Sequence, residues 1–278
     1  MRTRLIVAGR GGATMRWPEE LGHYPKYWHS RIRRGFGLGT RESYRPWLRV
    51  RDVPSFGSSG TPNGIRIPRN YHLLSDLERI DFFLVERQPD VVDIREQFPI
   101  LHLHGTLELC AAFDVRHPSQ GRFPEPFTID LMVTRETSAG LSYQARSIKT
   151  PEDAKDEDVK RRLNVEYQWC RQNSIDWTLI DTSQFAKEVL STLIFMRGWY
   201  RQGYRPTAER VEAFAAGFMR IYRRNVPLRE LLRECGSHLR LGSAECQNAF
   251  RYCTWADWIQ VDLLHSLAMN LPVVLHGR

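Results

Sequence analysis

The sequence predicts a mixed α/β domain followed by a helical domain. Between residues 71 and 182, a helix, strands, a second helix and a further strand follow one another, which is the element order of a mixed α/β core. From residue 183 to residue 278, apolar residues recur mainly at helical spacing. Residues 1–70 show weak periodicity and are rich in Gly, Pro, Arg and Trp, so we expect a basic N-terminal arm or extension there.

The composition is that of a folded protein without membrane spans. The 278 residues suffice for one large domain or two ordinary ones, and 42% hydrophobic with 26% charged residues is ordinary for a globular chain. No apolar run approaches the roughly 18 residues of a membrane span, and the apolar patch at residues 5–8 is too short for a signal peptide. Five cysteines without C-x-x-C spacing indicate reduced, mostly buried thiols in a cytoplasmic protein.

The positive charge of the chain is concentrated in the N-terminal arm. Residues 1–70 contain 14 Lys and Arg against 4 Asp and Glu, although the whole chain carries a net charge of only +8. Aromatic residues are interleaved with the arginines, as in "KYWHSRIRRGFG" and "YRPWLRVR". This pattern suits phosphate contacts combined with base stacking, and a solubilising arm is the alternative interpretation.

The first predicted helix begins near Ser75 and ends before Pro89. Its apolar residues recur at helical spacing, namely Leu73, Leu77, Ile80 and Leu84. Ser75 is a typical N-cap residue, and Ser75-x-x-Glu78 is the capping-box pattern, in which the Glu side chain bonds the backbone N–H of the serine. A strand is predicted over residues 91–100.

A predicted hairpin carries two isolated charged residues. We expect strands over residues 127–134 and 143–149, joined by a turn at residues 137–140. Pairing centred on that turn puts Asp130 opposite Ser147 and makes Lys149 its diagonal neighbour. The strands after the turn lead into a helix over 151–173 and a buried strand over 176–181.

Two interpretations fit a carboxylate and an amine on one face of this hairpin. One is an Asp130–Lys149 ion pair on a solvated face, which contributes little. The other is a hydrolytic nuclease site, in which carboxylates hold Mg²⁺ or Mn²⁺ against a phosphate and the lysine stabilises developing charge. Glu78 is the candidate second carboxylate, although a capping role competes with metal binding. A slip of one residue in register would separate Asp130 from Lys149.

The C-terminal region predicts four helices and two short strands. The helices cover residues 183–200, 207–224, 227–235 and 243–255, with Gly236 closing the third and Ser243 capping the fourth; the strands cover 258–263 and 272–277. This order is that of a winged helix, and it also occurs in many other small domains.

Four motifs follow one another along the chain, "HLLSDLE", "VVDIREQFP", "TIDLMV" and "SIKTPED". In order and spacing they resemble the TnsA family, the endonucleases that act at transposon ends in heteromeric cut-and-paste transposases. The resemblance is clear over roughly residues 44–182 and weaker beyond them. It implies a restriction-endonuclease-like mixed sheet core over residues 71–182, followed by a helical, winged-helix-like domain over residues 183–278.

The resemblance also implies the site residues. The family's helix Glu, strand Asp and following Lys fall on Glu78, Asp130 and Lys149, with Mg²⁺ or Mn²⁺ as cofactor. This favours metal binding over capping as the main role of Glu78. Ser147 stands where the family has Gln, so its side chain is a doubtful ligand, and the backbone carbonyl of Ile148 is the alternative.

One further family position is unmatched: Gln88 stands where a late helix acid is expected, and Glu86 is nearby. The histidines, among them His102, His104 and His117, show no metal-binding pattern.

The implied activity is hydrolysis of the 5′ strands of double-stranded DNA at transposon ends. A separate TnsB-like transposase would cut and join the 3′ strands, and a TnsC-like ATPase would contact the C-terminal domain; no membrane is involved. The helix over residues 243–255 has a single basic residue, Arg251, which favours protein binding over base readout. A standalone restriction-like or repair nuclease and an inactive adaptor bridging DNA and protein are the competing hypotheses, and Ser147 slightly favours the adaptor.

Overall fold

The computed structural model describes residues 6–7, 15–16, 21–52 and 59–277. The chain divides into two compact units, residues 1–183 and residues 184–278. The helices of the first unit are α1 (Lys26–Arg33), α2 (Asp76–Glu86), α3 (Leu103–Ala112) and α4 (Glu157–Gln172). Its strands are β1 (Ile6–Val7), β2 (Met15–Arg16), β3 (Val91–Pro99), β4 (Ser119–Gln120), β5 (Phe123–Pro124), β6 (Thr128–Thr137), β7 (Gly140–Ile148) and β8 (Asp176–Ile180).

A four-stranded mixed sheet forms the centre of the first unit. Its strand order is β3-β6-β7-β8, and the β3/β6 and β6/β7 pairs are antiparallel. Strand β8 runs parallel to β7, because α4 carries the chain back across the sheet before β8 begins. The mixed α/β core predicted from the element order is confirmed, and the strands extend one to three residues beyond some predicted bounds.

The hairpin register agrees with the prediction. Leu131 pairs with Arg146 and Thr137 with Gly140, so the next position along places Asp130 opposite Ser147. On the other side of β6, Glu96 pairs with Leu131 and Phe98 with Ile129, which by count places Gln97 opposite Asp130. The tight turn is closed by the Thr137 hydroxyl, which donates to the carbonyl of Gly140 at 2.7 Å.

The segment 21–52 differs from the predicted arm. It has few regular elements, as expected, but its aromatic side chains are buried in the same core as the sheet residues; they include Tyr24, Trp28, Phe36, Tyr44 and Trp47. The guanidinium of Arg31 stacks over Trp47, 4.5 Å from the ring centroid, and Arg49 over Phe36 at 4.8 Å. The Arg and aromatic pattern of this segment therefore builds cation–π packing inside the protein, which leaves these rings unavailable for base stacking.

Two short helices of the first unit were not expected. The predicted arm contains α1, and the stretch after β3 contains α3, whose apolar pattern is interrupted by His104 and Glu108. Helix α2 begins after Ser75 as predicted, and the Ser75 hydroxyl accepts a hydrogen bond from the N–H of Glu78. Helix α4 begins later than predicted, because Asp156 caps it after a 3-10 turn at Asp153–Lys155.

The second unit consists of helices α5 (Lys187–Met196), α6 (Gly198–Arg201), α7 (Ala208–Ile221), α8 (Leu228–Leu239) and α9 (Ser243–Trp255). Helix α8 continues past Gly236, so the prediction that Gly236 closes the helix is wrong; Arg240 ends it in the left-handed conformation. A Cβ on Gly236 would lie 3.0 Å from the carbonyl oxygen of Leu241, which explains a glycine inside this helix.

The predicted C-terminal strand pair is reduced to a single antiparallel bridge. Val261 pairs with Leu275, and within residues 256–277 no strand forms. Ser243 is the first residue of α9, and Gly242 occupies the N-cap position instead. The winged-helix arrangement is thus not confirmed. All five cysteines are free and buried, and among the helices of the described segments none is long and apolar enough to cross a bilayer.

The burial of Trp28 predicts that the 21–52 segment contributes to the stability of the first unit. The Trp28 side chain is fully buried and its Nε1 donates to the Pro124 carbonyl at 3.0 Å. We expect Trp28→Ala to lower the free energy of unfolding by about 3–5 kcal/mol in urea denaturation followed by circular dichroism. Leu107→Ala, at a side chain 42% exposed on α3, should change it by less than about 1 kcal/mol. Equal effects of the two changes would contradict the burial of the segment.

Candidate active site

Asp130 and Lys149 meet at the end of the β6–β7 hairpin. The Oδ2 atom of Asp130 accepts hydrogen bonds from Lys149 Nζ at 2.9 Å and from the Ile148 N–H at 2.7 Å. Lys149 Nζ also donates to the carbonyl of Ile148 at 3.0 Å. Their side chains are 14% and 29% exposed, so the pair does not lie on an open solvated face as the simpler interpretation required.

Glu78 makes capping contacts at the start of α2 and also belongs to the candidate site. Its Oε2 accepts from the Leu74 N–H at 3.0 Å, and its Oε1 from the Ser75 hydroxyl at 3.2 Å. The expected capping-box contact to the N–H of Ser75 is thus replaced by one to the preceding residue. Burial, followed by the charge of Asp130, raises the pKa of Glu78 to about 7, which places this helix-start carboxylate in the same electrostatic cluster as Asp130.

An ion pair fastens α2 to the sheet close to Glu78. The guanidinium of Arg146 on β7 donates to both carboxylate oxygens of Asp81, at 2.8 and 2.6 Å. Asp81 is one turn after Glu78 and is 1% exposed. This bidentate contact fixes the helix against the strand that leads to Lys149.

Glu166 is a member of the cluster that sequence reasoning missed. It lies on α4, is 8% exposed, and its Oε2 accepts from the Ser147 hydroxyl at 2.7 Å. Burial raises its pKa to about 7 against the lowering effect of Lys149. The sequence does contain a pattern that could have indicated Glu166. It is a carboxylate on the apolar face of α4, three residues after Leu163 and three before Trp169, both of which are buried.

Gln97 is a second residue that the sequence did not single out. It is 2% exposed, and its side-chain Nε2 donates to Glu78 Oε2 at 3.1 Å. Its backbone has φ 46°, a left-handed conformation inside β3 that costs a non-glycine residue on the order of 1–3 kcal/mol. The conformation turns its carbonyl to accept the N–H of Trp47 at 3.2 Å.

Ser147 has a structural partner on each side. Its hydroxyl donates to Glu166 and accepts from the indole Nε1 of Trp177 at 3.2 Å, and the residue is completely buried. The serine therefore links β7 to α4 and β8. The carbonyl of the next residue, Ile148, is the oxygen that lies beside Lys149 and Asp130.

Lys149 is held in its charged form. Burial alone would lower its pKa, but the charges of Asp130, Glu166 and Glu78 outweigh this effect and raise the pKa above the ordinary value for lysine. Lys149 therefore stays protonated at neutral pH and acts as a hydrogen-bond donor.

An open cleft of about 690 Å³ gives access to this cluster. Asp130, Lys149 and Glu166 line it together with Arg31 and Trp47 from the 21–52 segment. Lining residues also come from the end of α4 nearest the N-terminus, including Arg162. Both cationic and anionic groups thus face the space in front of the carboxylates.

The donor set of the cluster fits a divalent cation with oxygen ligands. Glu78, Asp130 and the Ile148 carbonyl supply hard oxygens, and the ammonium of Lys149 already lies between two of them. Three carboxyl groups surround this one lysine, which leaves the cluster short of positive charge. Within the described segments no group of three or more His, Cys, Asp or Glu side chains is placed to hold a metal, so a backbone carbonyl is needed to complete the set.

The remaining candidates lie apart from the cluster. Glu86 accepts from the backbone N–H groups of Ile65 and Arg66, and Gln88 donates to the Leu84 carbonyl. His117 contacts Thr106, and His104 pairs with Glu108. Glu86, the late acid of α2, is therefore engaged by the backbone of the segment that precedes the helix.

The similarity to known proteins includes the sheet of the first unit, from β3 to β8. Residues 88–182 match the TnsA-like endonuclease N-terminal domain family. The chain is 33% identical over 147 residues to the transposon Tn7 transposition protein TnsA of Escherichia coli, a stretch that is 53% of this chain and 53% of that protein. Over these residues the chain is similar to the TnsA family. It spans about half the length of the relative it matches, and the domain match includes Asp130, Lys149 and Glu166 but not Glu78.

The raised pKa values predict a pH-dependent stability of the metal-free protein. A carboxyl whose pKa is about 7 when folded and 4.5 when unfolded disfavours folding progressively as the pH rises from about 4.5 to 7. We expect Glu166→Gln to remove this penalty. The unfolding free energy of the variant minus that of wild type should therefore increase by roughly 2–3 kcal/mol from pH 5 to pH 8. Urea denaturation in EDTA measures it, and a pH-independent difference would contradict the shift.

Proposed function

We propose that this protein is a metal-dependent DNA endonuclease that hydrolyses the 5′ strands of double-stranded DNA at transposon ends. The observation that carries the proposal is the contact of Lys149 Nζ with Asp130 Oδ2, in a cluster that also contains Glu78. Similarity to the TnsA-like endonuclease N-terminal domain over residues 88–182 supports the reaction class.

The residues of the cluster take distinct roles in this proposal. Glu78, Asp130 and the Ile148 carbonyl would hold Mg²⁺ or Mn²⁺, which when bound stabilises negative charge on the phosphate that is attacked. Lys149, kept protonated by its acidic neighbours, donates a hydrogen bond to the attacking water or to a phosphate oxygen. Glu166 and Ser147 hold α4 and β7 together behind these groups.

The proposed partners follow from the division of labour in the family. A separate TnsB-like transposase would cut and join the 3′ strands, and a TnsC-like ATPase would contact the second unit, residues 184–278. In that unit α9 carries one basic residue, Arg251, whose guanidinium stacks over Phe195 at 4.8 Å. Such a helix is better suited to protein contact than to base readout.

An inactive adaptor is the second candidate function. The observation in its favour is Ser147, whose hydroxyl is engaged by Glu166 and Trp177 where the family has a glutamine. The intact Glu78, Asp130 and Lys149 weigh against it, because a structural role alone would not require all three.

The decisive test is strand-specific cleavage. The protein and its cognate transposase are incubated with end-containing DNA and Mg²⁺, and breaks are mapped on each strand. We expect Asp130→Asn to reduce 5′-strand cleavage at least 100-fold, since the amide removes the negative charge that a cation requires, while DNA binding persists. Asp176→Asn, at an exposed position on β8, is the matched control and should cleave as wild type.

Each other outcome assigns a different function. Cleavage without the transposase would indicate a standalone nuclease. Binding without cleavage by wild type, in either Mg²⁺ or Mn²⁺, would indicate the adaptor. Near-full cleavage by Asp130→Asn would remove Asp130 from the active site.

The basic 21–52 segment is expected to bind DNA phosphates through its exposed arginines. Deleting residues 1–50 is an unsuitable test because it removes buried core residues such as Trp28. Arg33 and Arg51 are exposed, so we expect Arg33→Gln and Arg51→Gln to weaken DNA binding and to lower the salt slope by about 0.9 for each phosphate that is no longer neutralised. Fluorescence anisotropy over a salt series measures the slope, and an unchanged slope would exclude a phosphate-binding role for these arginines.

A further inference from the structure

We propose that Gln97 is a positioning residue of the active site, whose side-chain amide holds the Glu78 carboxylate in the orientation that binds the cation. The inference rests on the proposed function, in which Glu78 is a metal ligand. Nothing in the sequence motifs assigned Gln97 a role.

The position of Gln97 is set by the sheet. The β3/β6 register places it opposite Asp130, and the β6/β7 register places Asp130 opposite Ser147. One row across three adjacent strands therefore consists of polar residues, two of them buried, whereas Phe98 and Ile129 in a neighbouring pair are both apolar. A buried polar side chain requires a hydrogen-bonding partner, and for Gln97 that partner is Glu78.

The amide contact supports one particular carboxylate oxygen. Gln97 Nε2 and the Leu74 N–H both donate to Glu78 Oε2, at 3.1 and 3.0 Å, whereas Oε1 receives only the Ser75 hydroxyl at 3.2 Å. The segment just before α2 supplies the donors at positions 74 and 75, and among the sheet residues that the structure describes only Gln97 donates a hydrogen bond to the Glu78 side chain. Without the amide, the carboxylate would keep only its hydrogen bonds to residues 74 and 75. Its orientation relative to the sheet and to Asp130 would then no longer be fixed by the sheet.

The backbone at Gln97 is strained in a way that aims this amide. Gln97 has φ 46° within β3, although the pairing on both sides of it keeps the same register, so no inserted residue explains the conformation. Glycine would adopt this conformation without a steric penalty. Here a buried glutamine occupies a left-handed position and donates to a proposed metal ligand. This arrangement is expected where the side chain has a function in the site.

The test separates function from stability with two variants at Gln97. Gln97→Gly relieves the backbone strain and removes the amide; Gln97→Asn tolerates the left-handed conformation but withdraws the amide by one methylene. We expect both to have melting temperatures in EDTA close to wild type, with Gln97→Gly no lower than Gln97→Asn. Both should bind Mn²⁺ roughly 10-fold or more weakly in titration calorimetry, as expected when a metal ligand loses its hydrogen-bonding partner.

A matched control isolates the effect of strain relief. Ser174 is exposed in the turn after α4 with φ 55° and has no contact with the cluster. Ser174→Gly should keep the Mn²⁺ affinity and the cleavage rate of wild type. In cleavage with the transposase, Gln97→Gly and Gln97→Asn should require roughly 10-fold more Mg²⁺ for half-maximal rate.

The outcomes distinguish this inference from the proposed function. If the Mn²⁺ affinity of both Gln97 variants equals that of wild type, Gln97 is structural and the inference is overturned, whatever the cleavage assay shows. If affinity falls while no protein cleaves DNA, the inference stands and the endonuclease proposal fails. If wild type binds no Mn²⁺, Gln97 has no metal ligand to position and the inference is wrong.

Discussion

The antiparallel register of β6 with both of its neighbours is the constraint on which the site depends. It places Gln97, Asp130 and Ser147 in one row across the sheet. Because side chains alternate between the two faces of a strand, a shift of one residue would exchange Asp130 with Ile129 or Leu131, both of which are fully buried. The tight turn at Thr137–Gly140 and the burial of Ile129 and Leu131 oppose that shift, so turn geometry and packing fix the arrangement of the candidate site.

The second constraint is charge balance in a buried place. Glu78 and Glu166 are nearly inaccessible to water, and burial raises the pKa of each to about 7. Lys149 and the hydrogen-bond donors around the carboxylates offset part of this cost, but one ammonium cannot balance three carboxyl groups. Two ion pairs near the cluster stabilise the elements that carry it. Arg146–Asp81 anchors α2 to the sheet, and the buried Arg69–Glu96 pair anchors β3.

Features that depend on residues close in sequence were predicted correctly. Features that depend on contacts between distant segments were missed. The strand alternation and the turn sufficed for the Asp130–Ser147 register, and Ser75 with Glu78 sufficed for the start of α2. Glu166 joins the site only because α4 crosses the sheet where Ser147 lies, and no local pattern fixes that crossing. The burial of Trp28 and Trp47 was missed for the same reason, since Arg and Trp in alternation fit both a nucleic-acid arm and internal cation–π packing.

The capping contacts of Glu78 explain how one carboxylate can serve both the helix and the site. Hydrogen bonds from the Leu74 N–H and the Ser75 hydroxyl favour the ionised form and lower the pKa that burial raises. Without them the carboxyl would hold its proton more tightly and compete less well for a cation. Since these donors lie immediately before α2, at and next to its N-cap, the start of the helix and the charge of the proposed metal ligand depend on the same contacts. At this position the capping contacts therefore support the proposed cation binding and do not compete with it.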